Sequence, residues 1–322
     1  MKKILILVMS CNDEFFKNQV EKIKNTWAKP IFDGVYPNID FLSYDGVTDK
    51  HSLDKENKVL HVKCEDDLAN TYKKTYYALS LVKSNMNYDY VFRTNTSTYV
   101  NIDMLNKFVQ ALEDDEVLWT SELYSLVEAN TPYPLNIYGR GNGLLFSKRI
   151  IDILLKEGIN ILYNEIVDDV AIGNVLNSYW IKQDKNYLDH IKSFYHGWFR
   201  AITGPTQNNH SLCNYNCDTE DKNFWKTFIT IQTKMYRQRE NEDENHDMLF
   251  NIMKDVVADD SDVQKNLEYS KNPNVFIGSG LGYISLDVWI NADKYKLWNL
   301  ECRNKTVDDI NKDKYNSNKI WY

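Results

Sequence analysis

Apolar β-branched runs alternate with amphipathic helical periods through the first two-thirds of the chain, the pattern of a mostly parallel sheet with helices on both faces. Ile4-Leu5-Ile6-Leu7-Val8-Met9 has no polar face, so a first strand over Lys3 to Met9 is expected to be buried on both sides. From Glu14 to Trp27, Phe15, Phe16, Val20, Ile23 and Trp27 fall on one side of a helix. Short strands follow at Asp40 to Ser43 and Lys58 to Val62, then a helix over Asp67 to Leu81. A buried strand lies within Asn87 to Thr94, a helix covers Asp103 to Leu112, and Val117 to Thr120 is a strand. Helices are expected at Lys148 to Glu157 and Asp168 to Leu176.

From about Gly204 the pattern changes, which divides the chain into a core of residues 1–204 and an extension of 205–322. Phe224, Phe228, Ile231 and Met235 recur at helical spacing. A charged interruption, Arg237 to His246, follows. Met248, Leu249, Ile252, Met253 and Val256 then resume a helix. Ile284, Leu286, Val288 and Ile290 alternate with polar residues, and a second run from Tyr295 to Leu300 predicts a β-hairpin. Gly278-Ser279-Gly280-Leu281-Gly282 follows the strand-like Val275-Phe276-Ile277. A strand rather than a helix comes next, so it reads as a turn and not a dinucleotide fingerprint.

The 322 residues suffice for a sizeable core. A net charge of −8 and a pI near 5.4 argue against a nucleic-acid binder, which needs surplus cations to displace phosphate counterions. No apolar run reaches the length of a membrane span, and the first apolar stretch is brief for a signal peptide. Five cysteines, at 11, 64, 213, 217 and 302, lack the dense spacing of a disulfide framework, so a cytoplasmic protein is expected. The 22 tyrosines and 8 tryptophans suit ring stacking on sugars as well as packing.

Candidate chemistry concentrates between Tyr133 and Gly173. Tyr138-Gly139-Arg140-Gly141-Asn142-Gly143 is spaced so that backbone approaches a bulky ligand where a Cβ would collide. About one helix later, Asp168 and Asp169 open Asp-Asp-Val-Ala-Ile-Gly173, where an acid can cap a helix or act as a general base. Both readings coexist. Asp260-Ser261-Asp262 lies in a charged linker and reads as a solvated turn.

Four segments together resemble the β-1,3-galactosyltransferase-like and fringe-like glycosyltransferases. They are Ile23-Lys24-Asn25-Thr26-Trp27, Asn70-Thr71-Tyr72-Lys73-Lys74-Thr75 after Glu65-Asp66-Asp67, the loop Tyr133-Pro134 to Gly143 and Ser147, and Asp168 to Gly173. The resemblance covers about residues 1–200. It implies the GT-A fold, a Rossmann-type, mostly parallel α/β core, to which the pattern after Gly204 adds a C-terminal helical and β-hairpin extension. The implied activity is inverting transfer of a hexosyl group from a nucleotide-diphosphate donor, UDP-sugar favoured, to a glycan acceptor. It puts the catalytic base on Asp169, with Asp168 the less suited acid. Ser10, Lys74, Arg93, Asn95, Ser97, Arg140, His196, Lys234 and Arg237 are the expected donor contacts. Tyr138, Gly139, Gly141, Asn142 and Gly143 are the expected acceptor or sugar loop.

One departure bears on the mechanism. Where that family carries three aspartates, this chain reads Arg93-Thr94-Asn95-Thr96-Ser97-Thr98. Hard divalent cations want anionic oxygens, so no residue is assigned to a metal, and Mn2+ or Mg2+ is left as a weakly bound option. Either basic side chains replace the ion, with His196 also marked as a metal ligand by the resemblance, or turnover has been lost and the fold only binds carbohydrate or nucleotide. A phage enzyme acting on DNA bases is the third reading, which the overall charge does not support.

Overall fold

The computed structural model describes residues 1–47, 49–127, 135–162, 167–198, 225–233, 242–271 and 275–278. Its strands are β1 (Ile4–Met9), β2 (Ile39–Val47), β3 (Ser52–Asp54), β4 (Val59–Lys63), β5 (Tyr90–Asn95), β6 (Thr98–Val100), β7 (Leu118–Thr120), β8 (Leu123–Val127), β9 (Leu135–Gly139), β10 (Leu144–Ser147), β11 (Ile191–Ser193), β12 (His196–Trp198), β13 (Thr230–Gln232) and β14 (Val275–Gly278). The α-helices are α1 (Glu14–Asn25), α2 (Lys29–Phe32), α3 (Thr71–Asn85), α4 (Ile102–Ala111), α5 (Lys148–Glu157), α6 (Asp168–Ile181), α7 (Glu242–Met253) and α8 (Asp260–Tyr269).

The fold is α/β. Eight strands form the main sheet in the order β11-β7-β10-β5-β1-β2-β4-β3. β1 runs parallel to both β2 and β5, and β2 parallel to β4. β10 is reversed between β5 and β7, and β3 is reversed at the edge. Alternate residues of β1 enter different cores: Ile4, Ile6 and Val8 pack with residues of α4, α7 and α8, while Leu5 and Leu7 pack with residues of α3, α5 and α6. With both faces covered, a strand gains nothing from polar alternation, which explains the unbroken apolar run. Among the described residues there are also two three-stranded sheets, β12-β13-β6 and β14-β8-β9.

Several expected boundaries move for identifiable reasons. The helix after Glu65 begins at Thr71 rather than Asp67, because Asp67 is used in the preceding turn, where its Oδ1 accepts from the Asn70 amide. Of the helical period assigned to Phe228 and Ile231, Ile231 lies instead in β13, whose Thr230, Ile231 and Gln232 are buried between β12 and β6, and Phe228 precedes that strand. Residues 242–246 of the charged interruption belong to α7. Asp260-Ser261-Asp262 is no solvated turn but the first turn of α8, where Asp259 caps the helix and Asp262, only 3% exposed, returns a bond to the cap. Val275–Gly278 is a strand, parallel to β8. The boundary near Gly204, the hairpin of 284–300, and Cys213, Cys217 and Cys302 lie outside the described residues.

Candidate functional site

The chain leaves β1 for β2 and β4 on one side of the sheet and returns to β5 on the other, so the strand order reverses between β1 and β5. In open α/β sheets ligands occupy the crevice at the carboxyl ends of strands beside such a switch. Here β1 ends at Met9 opposite Asn95, the last residue of β5. Ser10 continues β1 by donating its amide to the Tyr44 carbonyl at 2.8 Å. Lys74, on the first turn of α3, reaches this end of the sheet with its ammonium fully buried. It donates to the Ser10 carbonyl and pairs with Asp66, both at 2.6 Å. Burial favours the neutral amine, but Cys11 and Asp66 outweigh it and hold Lys74 protonated above its ordinary range.

Arg93 is the centre of the site. It sits on β5, fully buried, and forms a closed ring with three other side chains. Its Nη2 pairs with Asp168 Oδ2 at 2.6 Å and its Nε donates to Tyr44 Oη at 3.3 Å. The Tyr44 hydroxyl meets Thr75 Oγ1 at 2.9 Å, and Thr75 Oγ1 donates to Asp168 Oδ2 at 3.0 Å. Direction follows by elimination: Thr75 uses its proton on the carboxylate, so Tyr44 donates to Thr75 and is free to accept from Arg93. Thr71, one helical turn before Thr75, accepts from the Asp168 amide at 3.2 Å. Two threonines four residues apart on α3 therefore hold the first residue of α6.

Asp169 stands next to this ring on the same helix end and is half-buried. It accepts from the Gly141 amide at 3.2 Å and from the Val170 amide at 2.8 Å. Burial first, and then the like charge of Asp168, push its carboxyl up to about 6, while Arg93 and the two amides pull the other way. Gly141 donates its N–H to Asp169 and receives Arg93 Nη1 at its carbonyl, so the two peptide groups that meet at its Cα are held one by the acid and one by the cation. A methyl group on Gly141 would lie 2.6 Å from Arg93 Nη1, so only glycine fits between the cation and the acid. Gly173 serves packing instead. A Cβ there would come within 2.4 Å of the Tyr138 Cβ, which is how α6 lies close against β9.

The rest of the loop is tied into the fold. Arg140 pairs with Glu122 at 2.7 Å and lies over the Tyr124 ring at 5.6 Å, with 32% of its side chain exposed. Tyr124 and Tyr138 face each other across β8 and β9, ring centroids 6.0 Å apart. Asn142 turns inward, accepting from Ser121 and meeting His196 Nε2 at 3.2 Å. His196 bonds Thr230 through Nδ1 at 2.9 Å. Its burial lowers its pKa to about 4, so it is neutral, and the Asn142 amide donor makes Nδ1 the protonated nitrogen.

The altered segment after β5 is a turn closed by its own side chains and tied to β13 and α7, through Gln232 and Thr233 on Ser97 and His246 on the Thr96 carbonyl. Asn95 Oδ1 accepts from the Ser97 amide, the Ser97 hydroxyl and the Thr98 hydroxyl, at 3.1, 2.8 and 2.9 Å. Its amide nitrogen donates to the Gly141 carbonyl at 3.3 Å. An oxygen that already accepts three hydrogen bonds is a poor cation ligand, and no carboxylate replaces it in this turn. Among the described residues no group of three or more His, Cys, Asp or Glu is placed to hold a metal ion. The residues present do not fit a divalent ion here.

The structure thus brings together Ser10 and Lys74 in one cluster, and Arg93, Asn95, Gly141, Asp168 and Asp169 in another. Arg93 is spent on protein partners and is not turned toward the crevice as a phosphate ligand would be. Lys234 and Arg237 lie outside the described residues. Tyr44, Thr71, Thr75, Asp66 and Glu122 are site residues that the sequence reading did not single out. Asp66, Thr71 and Thr75 belong to the stretch Glu65 to Thr75 that resembles the glycosyltransferases, whereas Tyr44 carries no local signal.

No protein-family model matches the chain, and no curated protein matches it. Among solved structures, a glycosyltransferase involved in glycosylation of the major capsid of PBCV-1 aligns with 76% of this chain and 100% of its own, at 9% identity and a TM-score of 0.43. The galactosyltransferase LgtC, solved with donor and acceptor sugar analogues, aligns with 82% of this chain and 99% of its own, at 11% identity and a TM-score of 0.42. HddC from Yersinia pseudotuberculosis covers 47% of this chain and 79% of its own, at 14% identity and a TM-score of 0.28. Identities and scores this low say nothing of activity.

Proposed function

We propose that the chain is an inverting, nucleotide-sugar-dependent glycosyltransferase of GT-A type that transfers a hexosyl group to a glycan hydroxyl in the cytoplasm, without a protein-held divalent ion. The observation that carries this reading is Asp169. It is a half-buried carboxylate at a helix N-terminus, raised to about 6, beside a glycine loop at the carboxyl edge of a strand-order switch. A base with that pKa is ionised at neutral pH yet basic enough to accept a proton.

In the proposed step Asp169 takes the proton of the acceptor hydroxyl as that oxygen bonds to the anomeric carbon. The bond from carbon to the diphosphate oxygen breaks, and the electron pair leaves with the diphosphate. UDP-sugar is the favoured donor, placed across the ends of β1 and β5 near Ser10. Tyr124 and Tyr138 would offer ring faces to the acceptor. Arg140, whose side chain is 32% exposed while its Nη1 pairs with Glu122, is proposed to help balance the leaving group, together with Lys234 and Arg237.

The neutral turn of Asn95 to Thr98 favours a second reading, a carbohydrate- or nucleotide-binding module without turnover. Calorimetry with UDP-, GDP- and dTDP-sugars, run beside an assay of nucleoside-diphosphate release with EDTA or with Mn2+, separates the two. The proposal expects release that EDTA does not suppress. Binding without release from any donor, with or without Mn2+, would establish the module instead.

A further inference from the structure

We infer that Arg93 is the positioning residue that sets both the place and the ionisation of Asp169, acting through Asp168 on one side and the backbone of Gly141 on the other. This rests on the reading of Asp169 as the base. Arg93 is 1% exposed and its guanidinium is divided among four partners. Nη2 holds Asp168 and meets Met9 Sδ at 3.2 Å, Nε holds Tyr44, and Nη1 holds the Gly141 carbonyl. The Gly141 N–H, on the same residue, holds Asp169. One buried cation therefore holds two adjacent carboxylates by two routes, a direct ion pair and a glycine bonded at both its carbonyl and its N–H.

The electrostatics of Asp169 follow from what faces it. On its own helix is Asp168, a like charge; across from it are Arg93 on β5 and Arg140 on the loop, both cations, with Tyr44 on β2 completing the ring on Asp168. If Arg93 is removed, the two carboxylates lose their shared counter-ion in a buried site. The cation that favours the charged form of Asp169 is then gone, and Asp169 titrates at higher pH. A guanidinium is suited to this task because its planar fork serves several acceptors at once. A lysine supplies the charge but not the fork.

The test compares Arg93→Gln, Arg93→Lys and Asp168→Asn with wild type by two readouts: the carbon-13 NMR titration of the Asp169 carboxyl, assigned by its loss in Asp169→Asn, and the acid limb of the transfer rate. In Arg93→Gln both midpoints should rise by about one pH unit or more, the size expected when an opposite charge within a few ångströms is lost. In Arg93→Lys the midpoint should stay close to wild type while the rate falls, because the Gly141 carbonyl is released. In Asp168→Asn the midpoint should drop, since the like charge is gone and the cation remains.

A merely structural arginine would lower yield and rate with every midpoint unmoved, and that result overturns the inference. Should Arg93→Gln not fold, an unmoved titration in Asp168→Asn overturns it equally. The NMR titration does not need turnover. Absence of transfer in wild type together with the predicted titration shifts would sink the enzymatic reading and leave the coupling standing. Transfer with unmoved midpoints would do the reverse.

Discussion

Replacing Gly141 with alanine tests how closely the cation, the loop and the acid are fitted. The new methyl would lie 2.6 Å from Arg93 Nη1 and 3.6 Å from Asp169 Oδ2. The backbone at Gly141 is outside the left-handed region, so the penalty is steric contact and not dihedral strain. Arg93 cannot swing away, since it is fully buried and bonded to Asp168, Tyr44 and Met9. Overpacking of this kind costs roughly 1–3 kcal/mol. The lower entropy of the unfolded alanine chain offsets about 0.4–1 kcal/mol of that.

The net loss is therefore about 1–2 kcal/mol, which for a chain of this size lowers Tm by only a few degrees. The effect on rate should be larger. Displacing the Gly141 peptide removes the N–H from Asp169, and misplacement of a reacting group by about 1 Å is worth on the order of a hundredfold. Thermal unfolding and single-turnover transfer, measured on the same preparation, check both. An alanine variant as stable as wild type and equally active would refute the claim that the peptide is wedged between Arg93 and Asp169.

Two further outcomes follow from the same site. Asp169 has a folded pKa raised above its unfolded value, so its favourable contribution is present below about pH 4 and is lost as pH rises through about 6. Asp169→Asn should consequently be more stable than wild type at pH 7 by on the order of 1–3 kcal/mol, with the advantage gone near pH 4. The difference between the two proteins cancels the opposite trend of His196, a neutral buried imidazole whose support is lost as pH falls from about 6.5 through about 4. A gap in Tm that is the same at both pH values would contradict the raised pKa. Tyr44→Phe removes the hydroxyl that joins Arg93 Nε to Thr75, leaving a buried N–H without that acceptor. Chemical denaturation should show a loss of about 1–3 kcal/mol, and an unchanged midpoint would argue against the ring.

Much of the frame was legible in the chain. The apolar run of β1, the helix over Lys148–Glu157 and the acid pair opening α6 all follow from periodicity and from the unpaired amides at a helix start. What was not legible depends on tertiary partners. Arg93 beside a neutral segment reads as a phosphate ligand until β2, α3 and α6 are assembled around it, because its carboxylate partner is 75 residues away in sequence, in contact only through the fold. Tyr44 is one aromatic among many, and nothing local marks the one whose hydroxyl reaches Thr75. Ile231 falls at helical spacing from Phe228 by coincidence, since its strand of three buried residues is too short to display its own period. Asp260-Ser261-Asp262 was misread because a capping box and a solvated turn share their composition, and only the buried Asp262 distinguishes them.

The most direct measurement is single-turnover transfer by Asp169→Asn against wild type, with UDP-sugar donors, EDTA present and donor affinity followed by calorimetry. The account predicts a rate lower by about two to four orders of magnitude, equivalent to roughly 3–5 kcal/mol of barrier, with donor affinity preserved. An asparagine variant that transfers at the wild-type rate would contradict it.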